Sequence, residues 1–194
     1  MRNAEATREL ILTAAMDEFS AYGIAGARVD RIAKTAGFNK NLIYVYFENK
    51  ETLFATVLQK YIDRAFDAIP FTPEDLPDYA ARVFDFAMDN PKLMRLLMWS
   101  NLEQPISGRP ERGEVHEQKM QQIRQAQDSG RTGSAFSPKF LLTSIMTLAT
   151  AWTATNPFGS SGASDAEKDR AGLRRSIAET VELMVRAEAG KPRP

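Results

Sequence analysis

A short polar segment near the N-terminus has the residue types that contact nucleic acid. Asn39, Lys40 and Asn41 stand at the start of a short helical pattern. Lysine can donate to guanine, and asparagine can form two hydrogen bonds with adenine in the major groove. The hydroxyl groups of Tyr44 and Tyr46, on the same helix, can reach phosphate oxygens. This pattern therefore favours an interaction with DNA.

Basic residues surround this segment and offer further phosphate partners. They are Arg28, Arg31, Lys34 and Lys50. Lys50 also stands at the start of a predicted helix, where free N–H groups favour anions. Over the whole chain 25 basic residues balance 25 acidic ones, so the net charge is zero. A nucleic-acid interpretation therefore depends on a local patch.

Two short predicted helices position these side chains. They run from about Val29 to Thr35 and from about Lys40 to Phe47, and a tight turn around Gly37 joins them. Asn39 is the expected N-cap of the second helix. This layout is that of a helix-turn-helix, whose second helix lies in the major groove. A helical hairpin in a metabolic enzyme can have the same turn, so the geometry alone leaves that alternative open.

The residue pattern of this segment resembles that of the N-terminal domain of the tetracycline-repressor (TetR) family of transcriptional regulators. The resemblance covers roughly residues 7–55 and rests on Phe19, Gly23, Ile32-Ala33, Ala36-Gly37, Ile43-Tyr44-Val45-Tyr46-Phe47, Asn49-Lys50 and Leu53. It implies an Ω-shaped homodimer whose heads bind a palindromic double-stranded DNA operator. It also implies a C-terminal body that holds a pocket for a small-molecule effector.

Position by position, the resemblance divides the segment into two roles. It places Lys40, Asn41 and Leu42 at bases, and Tyr44, Tyr46 and Lys50 at phosphates. The chain departs from the family pattern at Ala27-Arg28, where many relatives have two threonines. Arg28 can still bind a phosphate. The chain also has Asn39 where serine is common, and Asn41 and Leu42 where small residues are common. The operator sequence therefore does not follow by analogy.

Helical periodicity dominates the rest of the chain, without strand alternation. We expect an all-α fold of about nine helices, with a helix-turn-helix DNA-binding domain over residues 1–47. A larger ligand-binding and dimerisation bundle is expected over residues 48–190. The first helix should end before Gly23. The other predicted boundaries are helix starts at Asn49, Thr72-Pro73, Asn90-Pro91, Ser137-Pro138 and Ser164 with Glu167, and loops over 104–113, 129–137 and 156–164.

The C-terminal part is rich in methionine and aromatic residues, which can line a pocket for an apolar or aromatic effector. The expected pocket residues are Met94, Met98, Trp99, Met120 and Trp152. Each of them could equally fill an ordinary helical core. The helix from Asn49 to about Ala68 joins head to body and is our hypothesis for the lever between them.

Two helices have stripes suited to a dimeric four-helix bundle. The expected interface residues are Phe140, Thr143, Thr147, Ala151, Ile177, Val181 and Met184. The alternative is that these stripes form intrachain core. No membrane span is expected, because the longest uncharged run, 140–164, is broken by proline and glycine. The N-terminus lacks the apolar region of a secretory signal, which predicts a cytoplasmic protein.

The composition argues against several kinds of enzyme. The chain has no cysteine and one histidine, which excludes thiolate metal sites, multi-histidine sites and cysteine nucleophiles. It also lacks a glycine-rich phosphate loop, and no cofactor is expected. We therefore predict a ligand-responsive DNA-binding regulator, most simply a repressor and not an enzyme. An all-α enzyme using carboxylates, and an all-α ligand-binding or interaction protein without DNA binding, are the alternatives.

Overall fold

The structure is a computed structural model that describes residues 2–103, 110–154, 156, 159 and 168–186, with only the backbone of 2, 3 and 110–113. Within those ranges it has nine helices and no strand, which confirms the all-α prediction. They are α1 (Arg2–Gly26), α2 (Val29–Ala36), α3 (Lys40–Phe47), α4 (Lys50–Ala68), α5 (Leu76–Asp89), α6 (Pro91–Glu103), α7 (Pro110–Asp128), α8 (Pro138–Thr150) and α9 (Arg170–Val185). None of the helices described combines the length and apolarity needed to traverse a bilayer.

The chain divides into two compact units, the first formed by α1–α4 together with α6. Helix α1 is its centre, since α2, α4 and α6 all contact it, while α3 contacts α2 and α4. Phe19 of α1 and Phe54 of α4 are fully buried and meet edge to face at 5.1 Å. The boundary between domains that we expected at residue 48 stays a prediction, because α4 and α6 share this unit with the first three helices.

Helix α1 is interrupted at Gly23, where φ is 71° and ψ is −174°. The expected stop is therefore present, but the chain resumes a helical conformation and α1 reaches Gly26. A Cβ atom at Gly23 would lie 2.8 Å from the Trp99 ring and 2.5 Å from Oε1 of Glu103. Both the positive φ and the close approach of α6 require glycine here.

Three predicted helix starts are confirmed by their caps or bounds. Asn49 Oδ1 accepts a 2.7 Å hydrogen bond from the Thr52 N–H at the start of α4. Ser137 Oγ accepts one of 3.3 Å from the Phe140 N–H at the start of α8. Helix α6 begins at Pro91, as the Asn90-Pro91 pair predicts.

Two predicted boundaries are wrong. The Thr72-Pro73 segment forms a turn, and α5 begins at Leu76. The cap is Asp75, whose Oδ1 accepts a 3.1 Å hydrogen bond from the Asp78 N–H. Helix α7 begins at Pro110, inside the predicted loop 104–113, since proline is tolerated at the first helical position. The predicted capping box of Ser164 and Glu167 lies outside the described residues.

The second unit contains α5 and α7–α9. Helix α5 contacts α8 and α9, and α8 also contacts α7 and α9. Its buried core comprises Leu76, Tyr79, Ala80, Val83, Phe84, Ile123, Leu141, Leu142, Ile145, Ala149, Ile177 and Val181. At the edge of this core Arg170 and Arg174 of α9 form ion pairs with Asp85 of α5, and Arg170 Nη1 lies 2.6 Å from Oδ1 of Asp89.

Candidate nucleic-acid interface

A buried carboxylate fixes α2 on α1. Glu18, only 8 % exposed, accepts a 2.8 Å hydrogen bond from the backbone N–H of Arg28 through Oε1. The same oxygen accepts a 2.8 Å hydrogen bond from Nε of Arg31 and lies 2.6 Å from Nη2 of that residue. Arg31 also donates to the Gly26 carbonyl and lies over the Tyr22 ring at 4.3 Å. Arg31, expected as a phosphate partner, therefore has its guanidinium engaged within the protein.

The turn between α2 and α3 follows from one left-handed residue. Gly37 has φ 79° and ψ 24°, and its N–H bonds to the Lys34 carbonyl at 3.3 Å. The next N–H, of Phe38, bonds to the Ala33 carbonyl at 3.0 Å. These two bonds are the Schellman ending of a helix. A Cβ at Gly37 would meet nothing within 4 Å, so only the backbone angle demands glycine.

Helix α3 has the bounds that the sequence predicts, with its cap at Asn39. The Oδ1 atom of Asn39 accepts a 2.8 Å hydrogen bond from the Leu42 N–H. Ile43 and Phe47 are buried and hold the helix on its own unit, and Arg8 of α1 lies 5.5 Å from the centre of the Phe47 ring. One face of α3 is therefore fixed by the core of the first unit.

The opposite face of α3 is open. The exposed residues at and along it are Asn39, Lys40, Asn41, Tyr44 and Val45, whereas Leu42 and Tyr46 are half-buried. Sequence reasoning singled out all of these except Val45, which is 78 % exposed. The sequence signal for the exposure of Val45 is its position two residues from both Ile43 and Phe47. Two residues are about 200° of helical rotation, which places Val45 on the opposite face of α3.

An acidic side chain modulates the charge of this face. Nζ of Lys40 lies 2.9 Å from Oδ1 of Asp30 on α2, and Nη2 of Arg28 lies 3.9 Å from Oδ2 of the same carboxylate. The hydrogen bond with Asp30 raises the pKa of Lys40, and it lowers the pKa of the Asp30 carboxyl. Lys40 and Arg28 are exposed, but a carboxylate beside them offsets part of the positive charge.

Lys50 is the first residue of α4, and its side chain reaches the end of α1. Its Nζ lies 3.5 Å from the Ala25 carbonyl and 3.4 Å from the Ala27 carbonyl, so the ammonium group is held near the end of α1. At these distances both hydrogen bonds are weak. The roles assigned to Arg28, Lys50 and the α3 residues at bases and phosphates stay predictions.

Two sequence profiles match the chain. The profile described as "Bacterial regulatory proteins, tetR family" matches residues 11–57, and "Tetracyclin repressor-like, C-terminal domain" matches residues 75–182. The HTH-type transcriptional repressor SCO4008 of Streptomyces coelicolor is 37 % identical over 190 residues, which span 95 % of this chain and 97 % of that repressor. The chain belongs to the TetR family.

Solved structures agree with this membership. The putative transcriptional regulator SCO4942 of Streptomyces coelicolor superposes with a TM-score of 0.82 at 33 % identity, covering 92 % of this chain and 98 % of that one. FadR of Bacillus subtilis, solved in complex with stearoyl-CoA, shares the fold at 18 % identity, with a TM-score of 0.66 and coverage of 89 % and 96 %. As a TetR family member, the chain is a ligand-responsive DNA-binding transcriptional regulator.

The five expected pocket residues are divided between the two units. Met94, Met98 and Trp99 lie on α6 in the first unit, with Met94 buried and the other two half-buried. Met120 and Trp152 border the core of the second unit. The indole nitrogens of Trp99 and Trp152 are buried without a hydrogen-bond partner among the residues described. That these five residues share one pocket stays a prediction.

The expected dimer residues also separate into two groups. Phe140 is 51 % exposed and stacks on Phe136 at 5.1 Å, Thr143 and Thr147 are exposed, and Ala151 and Met184 are half-buried. Ile177 and Val181 require a correction, because they are 2 % and 0 % exposed in the core of their own chain. Side chains without exposed surface in a single chain do not form contacts across an interface.

Proposed function

We propose that this TetR family regulator is a repressor that binds a palindromic operator as a homodimer and leaves it when a small effector binds. The observation that supports the proposal most is the two-sided character of α3. Ile43 and Phe47 hold one face on the unit, while Lys40, Asn41 and Tyr44 are exposed on the other. Polar side chains on a rigid helix suit the readout of base edges.

The domain assignment follows from this arrangement. Residues 1–47 carry the DNA-binding helices, and residues 48–190 carry effector binding and dimerisation. For self-association we propose the exposed part of α8 around Phe140, Thr143 and Thr147, with Ala151 and Met184 beside it. A two-fold dimer would place its two copies of α3 one turn of B-DNA apart, about 34–36 Å, or a multiple of that.

For the effector we propose a small, mainly apolar or aromatic molecule that carries a hydrogen-bond acceptor. Methionine side chains adapt to varied apolar shapes, and the buried N–H of Trp99 or Trp152 would gain an acceptor from such a molecule. One protein of the same fold, FadR, was solved with stearoyl-CoA bound. By linkage, an effector that prefers the conformation with the wrong head spacing lowers operator affinity by its differential affinity for the two states.

We propose α4 as the lever between head and body, because the chain first passes from the first unit to the second directly after Ala68. Crystal structures with operator and with effector test this proposal. They should show α4 in different orientations relative to α5 and α8. An unchanged orientation would contradict a lever role.

We infer that the protein acts by binding and performs no catalysis, in line with relatives that are named as regulators. As a regulator of transcription it would act in the cytoplasm, where bacterial DNA lies. Selection of bound fragments from random duplex DNA by the purified chain tests the proposal. We expect one enriched inverted repeat with a fixed half-site spacing. Failure to enrich any duplex at low ionic strength would overturn it.

A further inference from the structure

Val45 is the most exposed large hydrophobic side chain of the described residues, at 78 %. It lies in the last turn of α3, opposite the buried Ile43 and Phe47. A valine there gains no burial, and β-branched residues have lower helix propensity than alanine. The stability of the first unit therefore gives no reason for a valine at this position.

The surroundings of Val45 indicate what covers it. Asn41, one helical turn before it, and Tyr44, next to it, are exposed on the same helix. Lys40 on the same helix is a cation, and through Asp30 it is linked to the exposed Arg28 at the start of α2. A small apolar surface bordered by hydrogen-bonding and cationic groups is complementary to an apolar group within an otherwise polar, anionic partner.

We propose that Val45 determines operator specificity by contacting the 5-methyl group of a thymine in the major groove. This inference rests on the proposed function, since it requires α3 to enter the groove. Thymine is the only standard base with a methyl group on that edge, and apolar side chains recognise it. Against cytosine or guanine, a valine would instead cover polar groups without satisfying their hydrogen bonds.

The stiffness of valine suits this role. A β-branched side chain in a helix has one strongly preferred χ1 rotamer. The methyl groups of Val45 are therefore held in one orientation before DNA binds, so little side-chain entropy is lost on contact. A longer flexible side chain, such as methionine, would contact the same methyl group at a greater entropic cost.

The test removes one methyl group from the DNA at a time. In each half-site of a selected operator every thymine is replaced singly by deoxyuridine, which keeps the base pair, and dissociation constants are measured by fluorescence anisotropy. For the wild-type chain, one position should weaken binding about four-fold per half-site, the loss that corresponds to one buried methyl group. For Val45→Ala, the same replacement should change binding by less than about 1.5-fold, because its partner methyl groups are gone.

Two comparisons make the outcome decisive. Leu102→Ala removes a similarly exposed apolar side chain from α6, at 71 %, and this variant should respond to deoxyuridine like the wild type. Equal responses of the wild type and Val45→Ala at every thymine would overturn the thymine contact while leaving the proposed function intact. Absence of binding to any duplex by the wild-type chain would overturn both.

Discussion

Glu103, the last residue of α6, accepts a 2.5 Å hydrogen bond through Oε2 from the backbone N–H of Ile24, directly after the interruption of α1 at Gly23. The same oxygen accepts a second bond, of 3.2 Å, from the Ala25 N–H. N–H groups that follow a break in a helix lack intrahelical partners, and a carboxylate satisfies them with charge-assisted bonds. The positive φ of Gly23 is therefore held in place by α6.

Two glycines of the first unit have a positive φ, Gly23 with an extended ψ of −174° and Gly37 in the left-handed region, and each gives a stability prediction. Gly23→Ala should lower the free energy of unfolding by about 2–5 kcal/mol, because the strained φ adds to the clash with Trp99 and Glu103. Gly37→Ala has a similar φ in open space and should cost about 1–2 kcal/mol. Urea unfolding measures both values. Equal losses would show that α6 does not crowd Gly23.

The Glu18 carboxylate should be required to hold α2 against α1. In Glu18→Gln the bonds to Arg28 and Arg31 lose their charge, and we expect a loss of about 1–2 kcal/mol, or roughly 2–8 °C in the melting temperature. Asp17→Asn is the matched control on the same helix, since its pair with Lys92 is exposed and worth less than about 1 kcal/mol. Calorimetric melting curves in which the two variants coincide would refute a role for Glu18 in fixing α2.

Asp30 should weaken DNA binding by the wild-type chain. Asp30→Asn removes a negative charge beside Lys40 and Arg28, so we expect tighter operator binding at low salt. The slope of the logarithm of the association constant against the logarithm of the salt concentration should become steeper by up to about 0.9. This is the slope expected for one additional phosphate contact. Anisotropy titrations over a range of salt concentrations measure this slope.

The control for Asp30 is an acidic residue outside the patch. Asp63→Asn, about 20 Å along α4 from Lys50 by helical rise, should leave the slope unchanged. An unaltered slope in Asp30→Asn as well would mean that Lys40 does not meet a phosphate or base once it is freed.

The ion pair between Asp89 and Arg170 predicts an acid sensitivity of the second unit. The hydrogen bond from Arg170 lowers the pKa of Asp89 in the folded chain. The pair therefore stabilises the fold above the ordinary pKa of an aspartate, and this contribution is lost as the pH falls through the lowered value. Because Asp89 is exposed, we expect a modest effect.

Unfolding experiments at a series of acidic pH values test this pair. The free energy of unfolding should fall less between neutral and acidic pH in Asp89→Asn than in the wild type. Asp67→Asn, which removes an exposed carboxylate at the end of α4, should behave like the wild type. A wild-type slope in Asp89→Asn would contradict the lowered pKa.

The sequence predicts the bounds of α2 and α3 well because their signals are local. Asn39 caps α3 through its own side chain, and Gly37 ends α2 through its own backbone angle, so neither depends on distant contacts. The start of α5 was wrong because two neighbouring residues, Thr72 and Asp75, could each cap it, and sequence alone does not decide between them. The resumption of α1 after Gly23 depends on Glu103, which is remote in sequence.

Apolar patterns were harder to interpret than polar ones. The stripe of Ile177 and Val181 has the spacing of any buried helix face, and only the fold shows that α5 and the rest of its own core cover it. Val45 lies in an apolar run and was overlooked as a site residue, although the structure exposes it. An apolar residue type predicts burial, whereas its position on the helix decides whether burial occurs.

The double variant Tyr44→Ala, Lys50→Ala tests the central claim most directly, because both residues are assigned to phosphates and neither belongs to the buried core. We predict at least about a hundred-fold loss of affinity for the selected operator, equivalent to two lost contacts of roughly 1–3 kcal/mol each. Thermal melting and the oligomeric state should remain close to those of the wild type. Arg124→Ala, which removes an exposed positive charge from α7 in the second unit, should retain wild-type affinity. Undiminished operator affinity in the double variant would contradict the assignment of this face to DNA.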